Sequence, residues 1–83
     1  MSRRPDPWSR PKDEVRAEVV ADIRAGINTE IRPTARASNW SPSGVYARIA
    51  AGKVPAVREG RKLLLTPEGA AKFLGITLDR PAA

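Results

Sequence analysis

The sequence predicts a mainly α-helical fold that carries one small β-hairpin. Three observations indicate this fold class. Residues 39–74 contain the start and stop signals of a helix, a hairpin and a second helix. Residues 12–27 repeat aliphatic side chains at a spacing of four, as an amphipathic helix does. A chain of 83 residues leaves room for one small core.

The first helix within residues 39–74 is marked at both ends. Ser41 is a good N-cap, Pro42 suits the first helical position, and Gly52 can adopt the left-handed conformation that ends a helix. Helical spacing gives this helix a buried side formed by Val45 and Ile49. The opposite face carries only short side chains, those of Ser43, Ala47 and Ala50. A face as slim as this can lie against a flat or grooved surface.

A basic hairpin follows. Residues 53–58 and 61–65 are rich in apolar side chains and flank Glu59-Gly60, where glycine supplies the positive φ of a tight turn. Three cations gather near the predicted tip: Arg58, Arg61 and Lys62. Beyond the hairpin, Thr66 and Pro67 repeat the cap-and-proline signal. This signal predicts a closing helix that ends near Gly75, with Phe73 and Leu74 packed back on Ile49 and the hairpin.

An acidic helix is predicted ahead of this unit, at residues 12–28. Its aliphatic stripe consists of Val15, Val19, Ile23 and Ile27, and acidic residues occupy its first turn. Two explanations of the stripe remain open: either the helix-and-hairpin unit covers it, or a second copy of the chain does so by self-association. Residues 26–29 indicate a turn, and residues 33–38 a short helix that ends at a left-handed Asn39. Trp40 would then be a core residue at the next turn.

Several classes of function are excluded by composition. The chain has no Cys and no His, so disulfides, zinc-finger ligand sets, thiol nucleophiles and imidazole bases are all absent from the sequence. Ser41, Ser43 and Tyr46 therefore have no base to activate them, and we expect no enzymatic activity, no cofactor and no metal. No apolar run is long enough to span a membrane and the N-terminus lacks a hydrophobic signal core, which favours a cytoplasmic protein.

The net charge of +6 is unevenly placed. Residues 13–30 are net acidic, whereas residues 31–62 carry seven basic side chains against Glu59 alone. Residues 1–12 are also net basic. A polyanion such as double-stranded DNA is the natural partner of such a surface, because each cation near a phosphate releases condensed counterions. A basic surface that serves only solubility is the competing explanation.

The first eleven residues contain three prolines and little to bury except Trp8, which predicts an unstructured basic arm. Arg3 and Arg4 in this arm are candidates for minor-groove contacts. The alternative is a solvated tail with Trp8 packed onto the domain.

Residues 40–75 resemble the small winged helix-turn-helix domains of the excisionase type, which are related to the DNA-binding domains of MerR-like regulators. The matching runs are WSPSGVYARI at residues 40–49 and GKVPAVREGRK at residues 52–62, followed by three leucines. The sequence departs from the family at Gly44, often Thr, at Ala47, often Arg, and at Ser38, usually Leu. The resemblance implies a winged helix-turn-helix with an extra N-terminal helix. It implies domain bounds of 29–76, followed by a tail at 77–83.

The resemblance also implies which residues contact DNA. The helix at residues 42–51 would enter the major groove and present Ser41, Ser43, Gly44, Tyr46, Ala47 and Arg48. The hairpin would act as a wing, with Arg58, Arg61 and Lys62 along phosphates. Apart from the resemblance, the distribution of basic residues predicts further phosphate contacts from Arg32, Arg36, Lys53, Arg3 and Arg4.

The function implied by the resemblance is architectural. Excisionases of this type bind near an attachment site of a phage or mobile element, bend the DNA and assist an integrase or recombinase in excision. A small winged-helix transcriptional regulator is the first alternative. The second is a protein-interaction module that does not bind DNA, in which the acidic helix docks on a partner.

Overall fold

The computed structural model describes residues 6–77 as a mainly helical fold with a small antiparallel sheet, as predicted. After a 3₁₀ turn at Pro7–Ser9, its elements are α1 (Lys12–Arg24), β1 (Thr29–Glu30), α2 (Ile31–Ser38), α3 (Pro42–Ala50), β2 (Ala56–Glu59), β3 (Lys62–Leu65) and α4 (Pro67–Leu74). The strands pair in the order β1-β3-β2. Within the described residues, no helix is both long and apolar enough to cross a membrane.

Helix α1 covers the core formed with α2 and α4. Val15, Val19 and Ile23 are 1%, 2% and 1% exposed, so the chain buries its own aliphatic stripe. Of the two explanations of the stripe, burial within the chain's own fold accounts for these three side chains. The helix ends at Arg24, earlier than predicted, because Gly26 turns left-handed and the Ile27 N–H donates to the Asp22 carbonyl at 2.9 Å. Ile27 leaves the stripe and is 52% exposed.

Helix α2 begins at Ile31, two positions before the predicted start at Pro33. Ile31 is only 3% exposed and joins the core, which favours its inclusion in the helix. Pro33 is tolerated because the N–H groups of the first helical turn have no intrahelical acceptor. Asn39 adopts the predicted left-handed conformation with φ +63°, and the Trp40 N–H donates to the Ala35 carbonyl at 2.9 Å.

Helix α3 has the predicted capping and orientation. Ser41 Oγ accepts from the Gly44 N–H at 3.0 Å, and Gly52 follows the last turn with a positive φ. Val45 is fully buried and Ile49 is half-buried against the core. The opposite face, formed by Ser43, Ala47 and Ala50, is exposed as predicted.

The hairpin is present, with its turn one residue later than predicted. Glu59 pairs with Lys62, so the two loop residues are Gly60 and Arg61, and Gly60 has φ +60°. A third strand was not predicted: β1 pairs with β3 through Thr29 opposite Leu65 and Glu30 opposite Leu64. Thr29 lies in the segment interpreted as a turn, and a two-residue strand gives no periodic signal.

Helix α4 has the predicted bounds. Thr66 Oγ1 accepts from the Gly69 N–H at 3.1 Å, and Gly75 ends the helix with φ +69°. Leu74 joins the core. Phe73 meets Trp40 edge-on, with ring centroids 5.2 Å apart. This aromatic pair ties the turn between α2 and α3 to the closing helix.

Residues 6–11 differ from the predicted unstructured arm. Asp6 caps the 3₁₀ turn by accepting from the Trp8 N–H at 2.9 Å. Arg10 donates to both carboxylate oxygens of Glu18 and to Glu14, the latter at 2.8 Å. These ion pairs hold the segment against α1. The prediction of an unstructured arm was wrong for residues 6–11, because composition does not reveal ion pairs with a helix. The remainder of the predicted arm, including Arg3 and Arg4, and the tail at 78–83 lie outside the described residues.

A close backbone approach leads to a stability prediction at Gly69. A Cβ at this position would lie 2.3 Å from the Pro55 carbonyl oxygen, which also accepts from the Thr66 N–H at 3.4 Å. Although Ala is the better helix former, we expect Gly69→Ala to destabilise the fold by about 1–3 kcal/mol, since backbone must move to admit the methyl group.

The measurement is urea denaturation followed by circular dichroism. Lys72→Ala, an exposed change in the same helix, is the control and should alter the free energy of unfolding by less than about 0.5 kcal/mol. A Gly69→Ala protein as stable as the wild type would contradict the prediction.

Candidate nucleic-acid interface

The exposed face of α3 is slim, as its composition predicted. Ser43, Ala47 and Ala50 are exposed along it. Tyr46 lies three positions after Ser43 and next to Ala47, so it borders the same face, and it is 48% exposed. This face therefore presents one large side chain among short ones.

The hairpin carries its cations at the tip, all of them exposed. Arg61 is the second residue of the turn, and Arg58 and Lys62 lie on the flanking strands. Lys62 Nζ lies 3.1 Å from Glu30 Oε1 on the neighbouring strand. That ion pair crosses from β3 to β1.

Helix α3 and the hairpin tip meet at one open cleft of about 240 Å³. Tyr46 contributes from α3, Arg32 from α2, and Arg61 and Lys62 from the hairpin; Glu30, Ile31, Leu63 and Leu64 complete the lining. Arg61 and Lys62 therefore lie beside Tyr46, at the border of the exposed face of α3. A surface that offers a short-chained helix beside a cationic loop can accommodate a grooved polyanion.

The Trp40 ring packs against two of the predicted contact residues, Arg48 and Gly44. The Arg48 guanidinium lies 4.9 Å from the centroid of the Trp40 ring, a cation–π contact that orients an otherwise exposed side chain. Gly44 also packs against Trp40, because a Cβ there would lie 3.1 Å from the ring. Gly44 thus faces the indole and not the outer surface. Ser41 is exposed, but its hydroxyl caps the helix.

The other predicted phosphate contacts have different environments. Arg32 is bound to Asp6 at 2.8 Å and lies 4.9 Å from the Trp8 ring centroid. Arg36 is half-buried and donates to the Arg10 carbonyl at 3.2 Å, so its guanidinium is directed into the domain and not towards an outer surface. Lys53 is exposed just beyond α3.

Two ionisable groups near the N-terminus have shifted pKa values. The pKa of Asp6 is lowered from its ordinary 3.8, first by the hydrogen bond from the Trp8 N–H and then by the charge of Arg32. The pKa of Arg10 is raised, chiefly by its hydrogen bonds to Glu18 and then by that to Glu14. Both shifts favour the charged forms that hold residues 6–11 against the helices.

Sequence reasoning missed two residues that shape this surface, Asp6 and Glu30, whereas packing of Trp8 onto the domain was one of its two alternatives. A signal for Asp6 was present, since Asp6-Pro7 repeats the cap-and-proline pattern of Ser41-Pro42 and Thr66-Pro67. Glu30 gave no signal, because its role depends on the pairing of β1 with β3.

Comparison of the chain with models of known protein families, with curated proteins and with solved structures finds no match. Among residues 6–77, no group of three or more acidic side chains is arranged to hold a metal ion.

The contacts of Asp6 lead to a titration prediction. An NMR titration of the Asp6 carboxyl should give a pKa below 3.8, and Arg32→Ala should raise that pKa only in part, since the Trp8 N–H still donates to the carboxylate. A lowered pKa stabilises the folded state above the unfolded pKa, so this contribution is lost as the pH falls through the folded value. A full return to 3.8 in Arg32→Ala would contradict the assigned order of causes.

Proposed function

We propose that this chain is a double-stranded DNA-binding protein with a winged helix-turn-helix arrangement of the excisionase type. In this proposal α2 and α3 form the helix-turn-helix, α3 lies in the major groove, and the hairpin of β2 and β3 is the wing. The chain acts by binding and shaping DNA and carries out no reaction of its own.

The observation that supports the proposal best is the shared cleft between α3 and the hairpin tip. Tyr46, Arg61 and Lys62 line that cleft, so two cations of the hairpin lie next to the residue that borders the slim helical face. A duplex docked on α3 would bring its phosphates to Arg61 and Lys62. If the basic surface served only solubility, its cations would not need to lie beside a face of short side chains.

The charge distribution supports the same orientation. Most acidic side chains of residues 13–30 lie on α1, and the aliphatic side of this helix packs against the core. Because α1 is acidic, it is a poor candidate to enter a DNA groove. Arg58 and Arg61 remain exposed on the hairpin. Phosphate contacts from this side would supply most of the affinity, independently of base sequence.

Modest base readout favours an architectural role over a strongly sequence-selective one. Ser43 and Ala47 permit close approach but discriminate little, and Arg48 is the side chain on α3 able to contact a guanine in a bidentate manner. We therefore propose that several copies bend a DNA site and assist a recombinase in excising a phage or mobile element. Phosphate contacts would offset the free-energy cost of bending the DNA. Because that cost depends on the base sequence being bent, it would add selectivity at bases that the protein does not contact.

Replacing Arg61 tests DNA binding directly. We expect Arg61→Ala to weaken binding to every duplex by a similar factor and to reduce the slope of log K against log salt by about 1, because one phosphate contact is lost. The measurement is fluorescence anisotropy with labelled duplexes over a range of salt concentrations.

Arg24→Ala is the matched control, since Arg24 is an exposed arginine on the acidic helix α1. It should leave both the affinity and the salt slope close to wild type. Failure of the wild-type protein to bind any duplex at low ionic strength would reject DNA binding and favour the interaction module. Equal losses in the two variants would reject the hairpin as the contact surface.

The architectural role has a separate test. Circularly permuted DNA fragments carrying one bound site should migrate anomalously, and shifts should appear as a ladder as copies are added. A single shift without bending, located over a promoter, would instead favour a transcriptional regulator.

A further inference from the structure

Two of the three cations that line the cleft between α3 and the hairpin already hold a carboxylate of the same chain. Lys62 Nζ lies 3.1 Å from Glu30 Oε1, and Arg32 Nη2 lies 2.8 Å from Asp6 Oδ2. The two carboxylates are placed differently. Glu30 lines the cleft, whereas Asp6 holds Arg32 from the side of the 3₁₀ turn.

The sheet fixes the position of Glu30. Its Cα lies opposite Leu64 in the β1–β3 pair, and Lys62 precedes Leu64 by two residues on the same face of β3. A diagonal neighbour at this spacing is within reach of a long side chain. The Glu30 carboxylate is thereby presented to Lys62 by backbone pairing, and not by a chance encounter of two surface side chains.

The ion pair is nevertheless easily exchanged. The side chains of Lys62 and Glu30 are 70% and 59% exposed, so water and salt screen their attraction. Glu30 also makes no side-chain cap to α2. The Glu30 carboxylate therefore contributes little to the fold, and its effect is on the charge that the cleft offers to an incoming anion.

We propose, on the basis of the proposed DNA binding, that this cleft receives one phosphate of the DNA backbone and that Glu30 competes with that phosphate for Lys62. In the free protein Lys62 is bound to Glu30. On the duplex, Lys62 transfers to the phosphate, and Arg61 and Tyr46, which line the same cleft, donate to its other oxygens. The transfer of Lys62 from Glu30 to the phosphate is favoured because contact with DNA releases condensed counterions. Contact with the single Glu30 carboxylate releases none.

The first consequence is that removing the carboxylate strengthens DNA binding. We expect Glu30→Gln to raise the affinity for a random duplex about two- to fivefold at low ionic strength, the range that exposed ion pairs of this kind permit. The gain should shrink as salt is added, because the Glu30–Lys62 attraction is screened. Anisotropy titrations with the full-length protein measure both effects.

Asp13→Asn is the matched control, since it removes one exposed negative charge from α1 without touching the cleft. It should raise the affinity less than Glu30→Gln. Circular dichroism of Glu30→Gln should show the wild-type helical signal, since the side chain of Glu30 caps no helix.

A double-mutant cycle separates competition for Lys62 from general repulsion of DNA. In a Lys62→Gln background, the further change Glu30→Gln should raise the affinity no more than Asp13→Asn does, because the cation for which the carboxylate competes is gone. A gain of the same size in both backgrounds, or equal gains in Glu30→Gln and Asp13→Asn, would overturn this proposal while leaving DNA binding intact. Absence of wild-type binding at low ionic strength would instead reject the proposed function itself.

Discussion

Burial of α1 against α2 and α4 is the constraint on which the rest of this structure depends. Ile23 and Val15 are among the largest fully buried side chains, and both come from α1. The same core cluster contains Ile31 and Ala35 from α2 and Ala70 and Leu74 from α4. Because a domain of this size buries few side chains, removing the α1 contribution would expose much of the apolar surface that α2 and α4 share. The helix that looks peripheral in the sequence therefore holds in place the two helices that support α3 and the hairpin.

The same helix organises charge as well as packing. Its carboxylates on Glu14 and Glu18 bind Arg10, which brings residues 6–11 back across the domain. Asp6 then reaches Arg32, and Glu30 reaches Lys62. Several cations that sequence counting assigned to a free basic surface are thus paired in the folded chain. The net charge therefore overstates the number of cations that are free to bind a polyanion. Among residues 6–77 no ion pair is seen for Arg58 or Arg61, so these two arginines are the better candidates for such contacts.

Local signals in the sequence predicted local structure well. The caps at Ser41 and Thr66, the turn at Gly60 and the buried row on α1 each depend on residues near one another in the chain, and all are present. What could not be predicted depends on distant partners. The strand β1 exists because β3 is beside it, and Arg36 is directed inward because Arg10 folds back over α2. The sequence therefore predicted the outward face of α3 in the proposed interface. It did not predict the ion pairs beside that face, because their partners are distant in the chain.

Trp40 limits how the proposed interface can read a DNA sequence. Gly44 lies against its ring and Arg48 lies over it, so a substituent at position 44 would displace the platform that orients the arginine. A guanidinium stacked on an indole keeps its edge donors available but loses the freedom to search for a base. In the proposed complex, therefore, α3 would offer one pre-oriented cation among short side chains. Discrimination between sites would then have to come mainly from the energy of deforming the duplex against the hairpin and not from contacts to individual bases.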